Sequence, residues 1–442
     1  MACNLVNQAR LETDLLEVRT APSFILDKKL GKMYNFHAHN PIASWMRDQT
    51  LFIFTPVLVC KFPMKTVGVD DAISTTGLLY SQFYRCAFSD SGSDVEITIS
   101  GKEVTFHFRY GNKKKASNVI VFDHIPLEDQ IVCLFPGQGA QYVGMGSKIA
   151  DCPQAKAIFD RSSEILGYDI LKLCMEGPKT KLDQTLYCQP AVFVSSVATF
   201  EKFKASDETI TDRITDVAGF SVGEFAALVA GGILSFDDAL RIVNARAKAM
   251  HECNQLIRSG MMTVRVHASS RLEEAMADAK MESREKGEME VCEIANYLFC
   301  GVRVVGASET CMRYLEENQE RYNFSVVKRL EVSGAFHTVQ MEPAVAKVRE
   351  AIAGVELHKP TCNVYSNYTG HIYPAKNSEI RNVIAKQVTH PVKWEQIQQL
   401  LYRKHRDYTF PMFVELGAGR QLGTMLMRTS KKAYKTYEHI SC

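Results

Sequence analysis

Ser221 stands between two glycines in the stretch "DVAGFSVGEFAALVAGG", which runs from Asp216 to Gly232. The apolar residues before it can end a strand, and "EFAALVAG" after it can begin a helix. Serine is a poor helix former that prefers local hydrogen bonds. G-x-S-x-G in this setting is a nucleophile elbow, a tight strand-to-helix turn that pushes the hydroxyl outward. Few other features restrict a chain as much, because the turn needs a strand, a helix and a sheet that exposes their junction.

The surrounding pattern supplies that sheet. From "IVCLF" at Ile131 onward, short apolar strands alternate with glycine-rich loops and helical runs, which predicts an α/β core with a mostly parallel sheet. Between Met261 and Val332 the order changes. "MMTVRVH", "EVCEIANY", "GVRVVGA" and "SVVKRLEV" read as strands, and "SRLEEAMADAKMESREK" and "ETCMRYLEENQERY" as helices. The order βαββαβ is that of a ferredoxin-like subdomain inserted in the core. The expected organisation is an N-terminal region over 1–125, a core in two parts over 131–258 and 335–435, and the insert over 259–334. In the N-terminal region, Val95, Ile97 and Ile99 alternate, as do Val104, Phe106 and Phe108, which predicts a hairpin, and "GNKKKAS" reads as a solvated turn. Glu12, Asp14 and Glu17 come too early for an acid-poor transit peptide.

Composition narrows the function classes. With 46% hydrophobic and 23% charged residues and a formal net charge of +2, the chain has neither the basic excess of a bulk nucleic-acid binder nor an apolar run long enough for a membrane helix. Its 13 cysteines form no CxxC pair and no metal-type spacing, which points to unpaired thiols in a reducing compartment.

A serine hydroxyl needs a base, which should follow the elbow in the chain. His337 in "VSGAFHTVQMEP" is the candidate, set in a loop after the last insert strand. A second clue is Arg246. The segment from Asp237 to Leu256 reads as one helix, and on it Arg246 falls on the apolar side with Ala239, Ile242, Val243 and Met250. A buried guanidinium requires an anion, which is either a ligand carboxylate or a protein one such as Glu224 or Glu342. The glycine-rich "LFPGQGAQYVGMG" fits neither a phosphate loop nor a dinucleotide fingerprint, but it can bring backbone N–H groups close to a reacting centre as half of an oxyanion hole.

Together "LFPGQGAQ", "QPAVF", "GFSVGE", the Arg246 helix, "GAFH", "NVYSN" and "VELGAGRQLG" resemble the malonyl-CoA:acyl carrier protein transacylases of animal mitochondria, over roughly Ile131 to Lys435. The resemblance implies a hydrolase-like core with a ferredoxin-like subdomain, Ser221 as nucleophile and His337 as base. It implies an oxyanion hole from the N–H groups of Gln138 and Val222. Arg246 becomes the clamp for the substrate carboxylate, with Gln189, Asn296, Phe336 and Met250 around the acyl group. The activity implied is malonyl transfer from malonyl-CoA to the phosphopantetheine thiol of acyl carrier protein, in fatty acid synthesis, by a monomer without metal or redox cofactor. The implied location is the mitochondrial matrix, with the cytoplasm as the alternative. Phe220 departs from the bacterial GHSxGE pattern. No acidic third residue is implied, so a backbone carbonyl must orient His337, and the "LGAGRQ" loop is the candidate. The basic stretches "YRKHR" and "RTSKKAYK" are candidates for carrier-protein docking. Two other readings use the same residues: a serine hydrolase of acyl thioesters, and an inactive relative that binds carrier protein.

Overall fold

The computed structural model describes residues 119–332, 334–402 and 409–442 in full, and upstream of these the backbone of six short strands. The chain divides into two units, Met1–Lys113 and Lys114–Cys442. In the first, the six strands form three antiparallel hairpins: β1 (Glu12–Asp14) with β2 (Glu17–Arg19), β3 (Ser23–Asp27) with β4 (Lys32–Asn35), and β5 (Ala43–Arg47) with β6 (Thr50–Phe54). The hairpin expected from Val95 to Phe108 and the "GNKKKAS" turn lie outside the described residues.

The second unit holds a parallel sheet of five strands in the order β13-β8-β7-β15-β16. These are β7 (Ile131–Phe135), β8 (Ile214–Gly219), β13 (Asn363–Val364), β15 (Met412–Gly417) and β16 (Tyr437–Ser441). Every residue of β7 and β8 is buried, as expected of parallel strands covered on both faces. Alternate residues serve opposite cores. Ile131, Cys133 and Phe135 join one apolar cluster, and Val132 and Leu134 join a second, together with Trp394 and Phe413.

The principal helices of the core are α1 (Pro153–Leu166), α2 (Thr185–Ser206), α3 (Gly223–Ala230) and α4 (Phe236–Cys253). α2 is apolar on nearly every side and is enclosed by α1, α3, α4 and β15. Ser235 starts α4 by accepting a hydrogen bond from the Asp238 N–H at 3.2 Å, and Asp237 and Asp238 occupy the positive end of the helix. This cap fixes the helical phase that carries Arg246 inward.

The insert consists of β9 (Ser259–Val266), α5 (Leu272–Glu285), β10 (Cys292–Phe299), β11 (Val302–Ser308), α6 (Glu309–Asn318) and β12 (Phe324–Arg329). Its sheet order is β12-β9-β11-β10, antiparallel throughout, and α5 and α6 pack on it around a core of their own. The chain then returns to the core through α7 (Glu342–Ala353) and α8 (Asn377–Lys386). β14 (Val392–Lys393) adds to the free edge of β10 in parallel, with Asn296 opposite Val392 and Tyr297 opposite Lys393. α9 (Trp394–Tyr402) and α10 (Gln421–Thr429) complete the unit. No described helix is long and apolar enough to cross a membrane. The cysteines among the described residues are buried, apart from the half-buried Cys152 and the exposed Cys300.

Candidate active site

The elbow is built by close approach. A methyl group on Gly219 would overlap the carbonyl oxygen of Gly223, and one on Gly223 would overlap that of Phe135 on the neighbouring strand. Only hydrogen fits at both places. Between them Ser221 takes a left-handed backbone, φ 53°, which an L side chain adopts at a cost of about 1–3 kcal/mol when its surroundings impose it. Asn367 imposes it here. Its Oδ1 accepts from the Ser221 N–H at 2.7 Å and its Nδ2 donates to the Gly219 carbonyl at 2.7 Å, so one amide brackets the turn. Phe220 points away from the reacting groups and packs edge-on against Trp394, with ring centroids 5.6 Å apart. The position therefore serves the second apolar cluster, which explains why an imidazole is not needed there.

His337, also left-handed at φ 60°, faces the elbow with its Nε2 2.8 Å from the Ser221 Oγ. Its Nδ1–H donates to the backbone carbonyl of Gln387 at 2.8 Å. This corrects the expected source of the orienting carbonyl, which is the C-terminal end of α8 and not the "LGAGRQ" loop. That loop acts elsewhere, where Gln421 Nε2 donates to the Gly139 carbonyl at 2.6 Å and so steadies the glycine-rich loop after β7. Burial, reinforced by the nearby Arg246 charge, lowers the His337 pKa to about 3, and the ring is held neutral. A neutral imidazole with its Nδ1–H committed to a carbonyl presents a free lone pair to the serine.

Arg246 is fully buried. Its Nη1 donates to Gln189 Oε1 at 2.5 Å, and its Nη2 donates to Gln387 Oε1 at 3.0 Å and to Ser221 Oγ at 3.2 Å. Gln189 in turn donates from Nε2 to the Met250 Sδ at 3.6 Å. All these acceptors are neutral, and Nε has no partner among the described residues. Among the described residues no carboxylate forms an ion pair with this guanidinium. Glu224 acts on it only at longer range, and Glu342 is exposed at the start of α7. Burial accordingly lowers the Arg246 pKa to about 10. Of the two anions open to a buried arginine, the described residues do not supply the protein one as an ion pair.

Val222 is the N-cap of α3, where N–H groups point out of the helix. Gln138 lies on the loop after β7 and is anchored through its side chain to Thr185 Oγ1 at 3.3 Å. Neither backbone N–H is given an acceptor by the described residues. Phe336 is buried beside the base, in the larger apolar cluster. Asn296 is buried in β10 opposite Val392, and no hydrogen bond among the described residues joins it to Ser221, His337 or Arg246. Of the basic docking stretches, the first falls mostly outside the described residues; the second spans the end of α10 and the turn after it.

Three residues of the site carry no clear signature in the sequence. Gln387 touches Arg246, His337 and the Ser221 carbonyl, Asn367 brackets the elbow, and Tyr373 reaches the buried Glu224. The motif "NVYSN" contains Asn367 and gave a partial signal. "KQVTHPVKW" gave none, because a glutamine ending an amphipathic helix looks like any surface residue until the tertiary fold buries it.

The acyl transferase domain model matches residues 132–440. The chain belongs to the acyl transferase family. The acyltransferase is 40% identical over 310 residues to the mitochondrial malonyl-CoA-acyl carrier protein transacylase of Mus musculus, a match that covers 70% of this chain and 81% of the relative. A solved structure of the Streptococcus pneumoniae MCAT superposes with a TM-score of 0.60 at 30% identity, over 71% of this chain and 96% of the other. A malonyl-transacylase solved in complex with the type II polyketide carrier protein AntF gives 0.60 at 25% identity, over 70% and 94% of the two chains. The N-terminal unit has different relatives. Residues 1–80 match the ADP-specific phosphofructokinase/glucokinase conserved region. An 85-residue stretch is 64% identical to the "Probable ADP-dependent glucokinase" of Caenorhabditis elegans, covering 19% of this chain and 17% of that protein.

Proposed function

We propose that the acyltransferase moves a malonyl group from malonyl-CoA to the phosphopantetheine thiol of an acyl carrier protein, through a malonyl ester on Ser221. One observation carries the reading: the Ser221 hydroxyl lies within hydrogen-bond reach of both a neutral imidazole and a buried guanidinium that no carboxylate among the described residues pairs. A nucleophile beside a fixed cation suits an acyl group that ends in a carboxylate. His337 takes the serine proton as Oγ attacks the thioester carbonyl, and the N–H groups of Val222 and Gln138 receive the developing oxyanion. The tetrahedral adduct collapses, the C–S bond breaks, and the imidazolium returns its proton to the leaving coenzyme A thiolate. The carrier thiol then repeats the sequence in reverse, losing its proton to His337 as its sulfur attacks the ester and Ser221 leaves.

The charge arrangement limits how long the base holds its proton. Arg246 disfavours a second cation on His337, so the proton is held only briefly. A malonyl carboxylate paired with Arg246 relieves that effect and makes the imidazole more basic when substrate is bound. Phe336 and Met250 supply apolar wall, and Gln189 braces the clamp. The sheet order of the insert supports the ferredoxin-like assignment, with the insert over 259–334 dividing the core into 131–258 and 335–435. The reaction calls for no metal or redox cofactor. The relatives' names support a mitochondrial location, for which the matrix is the proposed compartment, and acyl carrier protein as partner. The N-terminal match covers too little of a kinase to support kinase activity.

Intact-mass analysis after exposure to malonyl-CoA tests the reading. The wild-type protein should carry a malonyl adduct that disappears on addition of holo carrier protein as malonyl-carrier forms. Ser221→Ala should show no adduct. An adduct lost to water at the same rate with or without carrier would make the protein a hydrolase.

A further inference from the structure

Glu224 touches none of the reacting atoms, yet it holds the residues that hold them. It is buried in the first turn of α3. Its Oε1 accepts from the Tyr373 hydroxyl, and its Oε2 accepts from the Asn367 N–H at 3.1 Å and from Gln387 Nε2 at 2.9 Å. Asn367 brackets Ser221. The same Nε2 of Gln387 donates to the Ser221 carbonyl at 2.7 Å, while its Oε1 accepts from Arg246 and its backbone carbonyl accepts from His337.

The glutamine amide has two unlike ends, and an ionised carboxylate can only accept. Glu224 therefore favours the orientation with NH2 toward itself and oxygen toward the guanidinium, the one that Arg246 and the Ser221 carbonyl also require. The opposite orientation would set donor against donor at Arg246 and oxygen against oxygen at Glu224. Protonation withdraws the carboxylate's share of this constraint, since a carboxyl hydroxyl is a donor that can meet either end of the amide, and leaves Gln387 held by Arg246 and the Ser221 carbonyl alone. We infer that Glu224 is a positioning residue whose ionised form fixes Gln387, and through it the alignment of both His337 and Arg246.

This rests on the acyltransferase reading above, and it adds a titration that the base does not supply. Burial raises the Glu224 pKa to about 7, against the opposing effects of Tyr373, Gln387, the Asn367 N–H and the Arg246 charge. The charged or titratable groups facing it are Tyr373 and Arg246, with His337 on the far side of Gln387. The raised value means that the aligned, ionised state is half-populated at about pH 7, dominant above it, and lost as pH falls through it. His337, held down to about 3, stays neutral through that range.

The test is the pH profile of kcat/KM for malonyl transfer to holo carrier protein in three proteins. The wild type should fall about tenfold per pH unit below a limb near neutrality. Glu224→Gln should transfer more slowly at pH 8 and lose the limb. Tyr373→Phe, which removes a donor to the ionised form, should move the limb to higher pH, and it decides alone if Glu224→Gln does not fold. Ionisations of the thioester and the carrier thiol are common to all three. The same limb in all three proteins, with only rate or melting temperature altered, overturns the inference and leaves Glu224 a structural residue. If the wild type transfers no malonyl, the proposed function fails. Labelling of Ser221 by a fluorophosphonate, which needs the serine and base but no malonyl group, then reads the same three profiles for Glu224.

Discussion

Three neutral oxygens surround the Arg246 guanidinium, and this decides what its removal should do. Arg246→Ala should weaken malonyl transfer by about 3–5 kcal/mol, the usual cost of losing one partner of a buried ion pair, or about two to four powers of ten in rate. The same variant should gain in relative activity with acetyl-CoA, because an uncharged acyl group no longer meets an unpaired cation. Arg246→Lys should recover part of the malonyl rate, since an ammonium cannot reproduce the planar fork. The measurement is transfer to carrier protein from each thioester, with melting curves alongside. If the malonyl and acetyl rates of a folded variant fall together, the arginine is structural. At this scale the sequence was readable where side-chain chemistry contradicts its surroundings: a serine between glycines, an arginine on an apolar helix face. It was silent where ordinary chemistry acquires a role only by burial. Gln387 is a common polar residue, and nothing in its own segment distinguishes an amide that bridges a catalytic base from one that faces water, whereas Asn367 showed only through the "NVYSN" motif.

The elements were legible to the extent that their periodicity is local. β7 is the segment "IVCLF" itself, α4 starts at the cap that Ser235 provides, and the four insert strands and two helices follow the order their patterns implied. β14 had no such signature, because a two-residue strand exists only through its partner. The turn from β8 to α3 offers a test at this scale. Gly223→Ala places a methyl against the Phe135 carbonyl, which cannot retreat without disturbing the pairing of β7 with β8. The expected loss of stability is above about 3 kcal/mol, with Ser221 no longer labelled by malonyl-CoA even in the fraction that stays folded. Thermal unfolding and adduct mass measure the two effects, and a normally labelled, normally stable variant would refute the close-contact account of the elbow.

On the scale of the whole molecule, the chain joins two units whose relatives belong to unrelated enzymes. The acyl transferase match and both apolar clusters of the core fall entirely within Lys114–Cys442. Residues 114–442 expressed alone should therefore fold and transfer malonyl with kcat/KM within about threefold of the full chain, a difference of about 0.65 kcal/mol. A truncated protein that folds but transfers more than tenfold more slowly would assign the N-terminal unit a part in the reaction. Within the larger unit, the two edges of the insert sheet carry different halves of one catalytic contact. β12 at one edge leads into the loop bearing His337, and β14 at the other begins at Val392, a short turn after Gln387. The base and its acceptor are thus suspended from opposite ends of a single hydrogen-bonded frame. Loosening the strand pairing within that frame is therefore expected to part the imidazole from the carbonyl that fixes its tautomer.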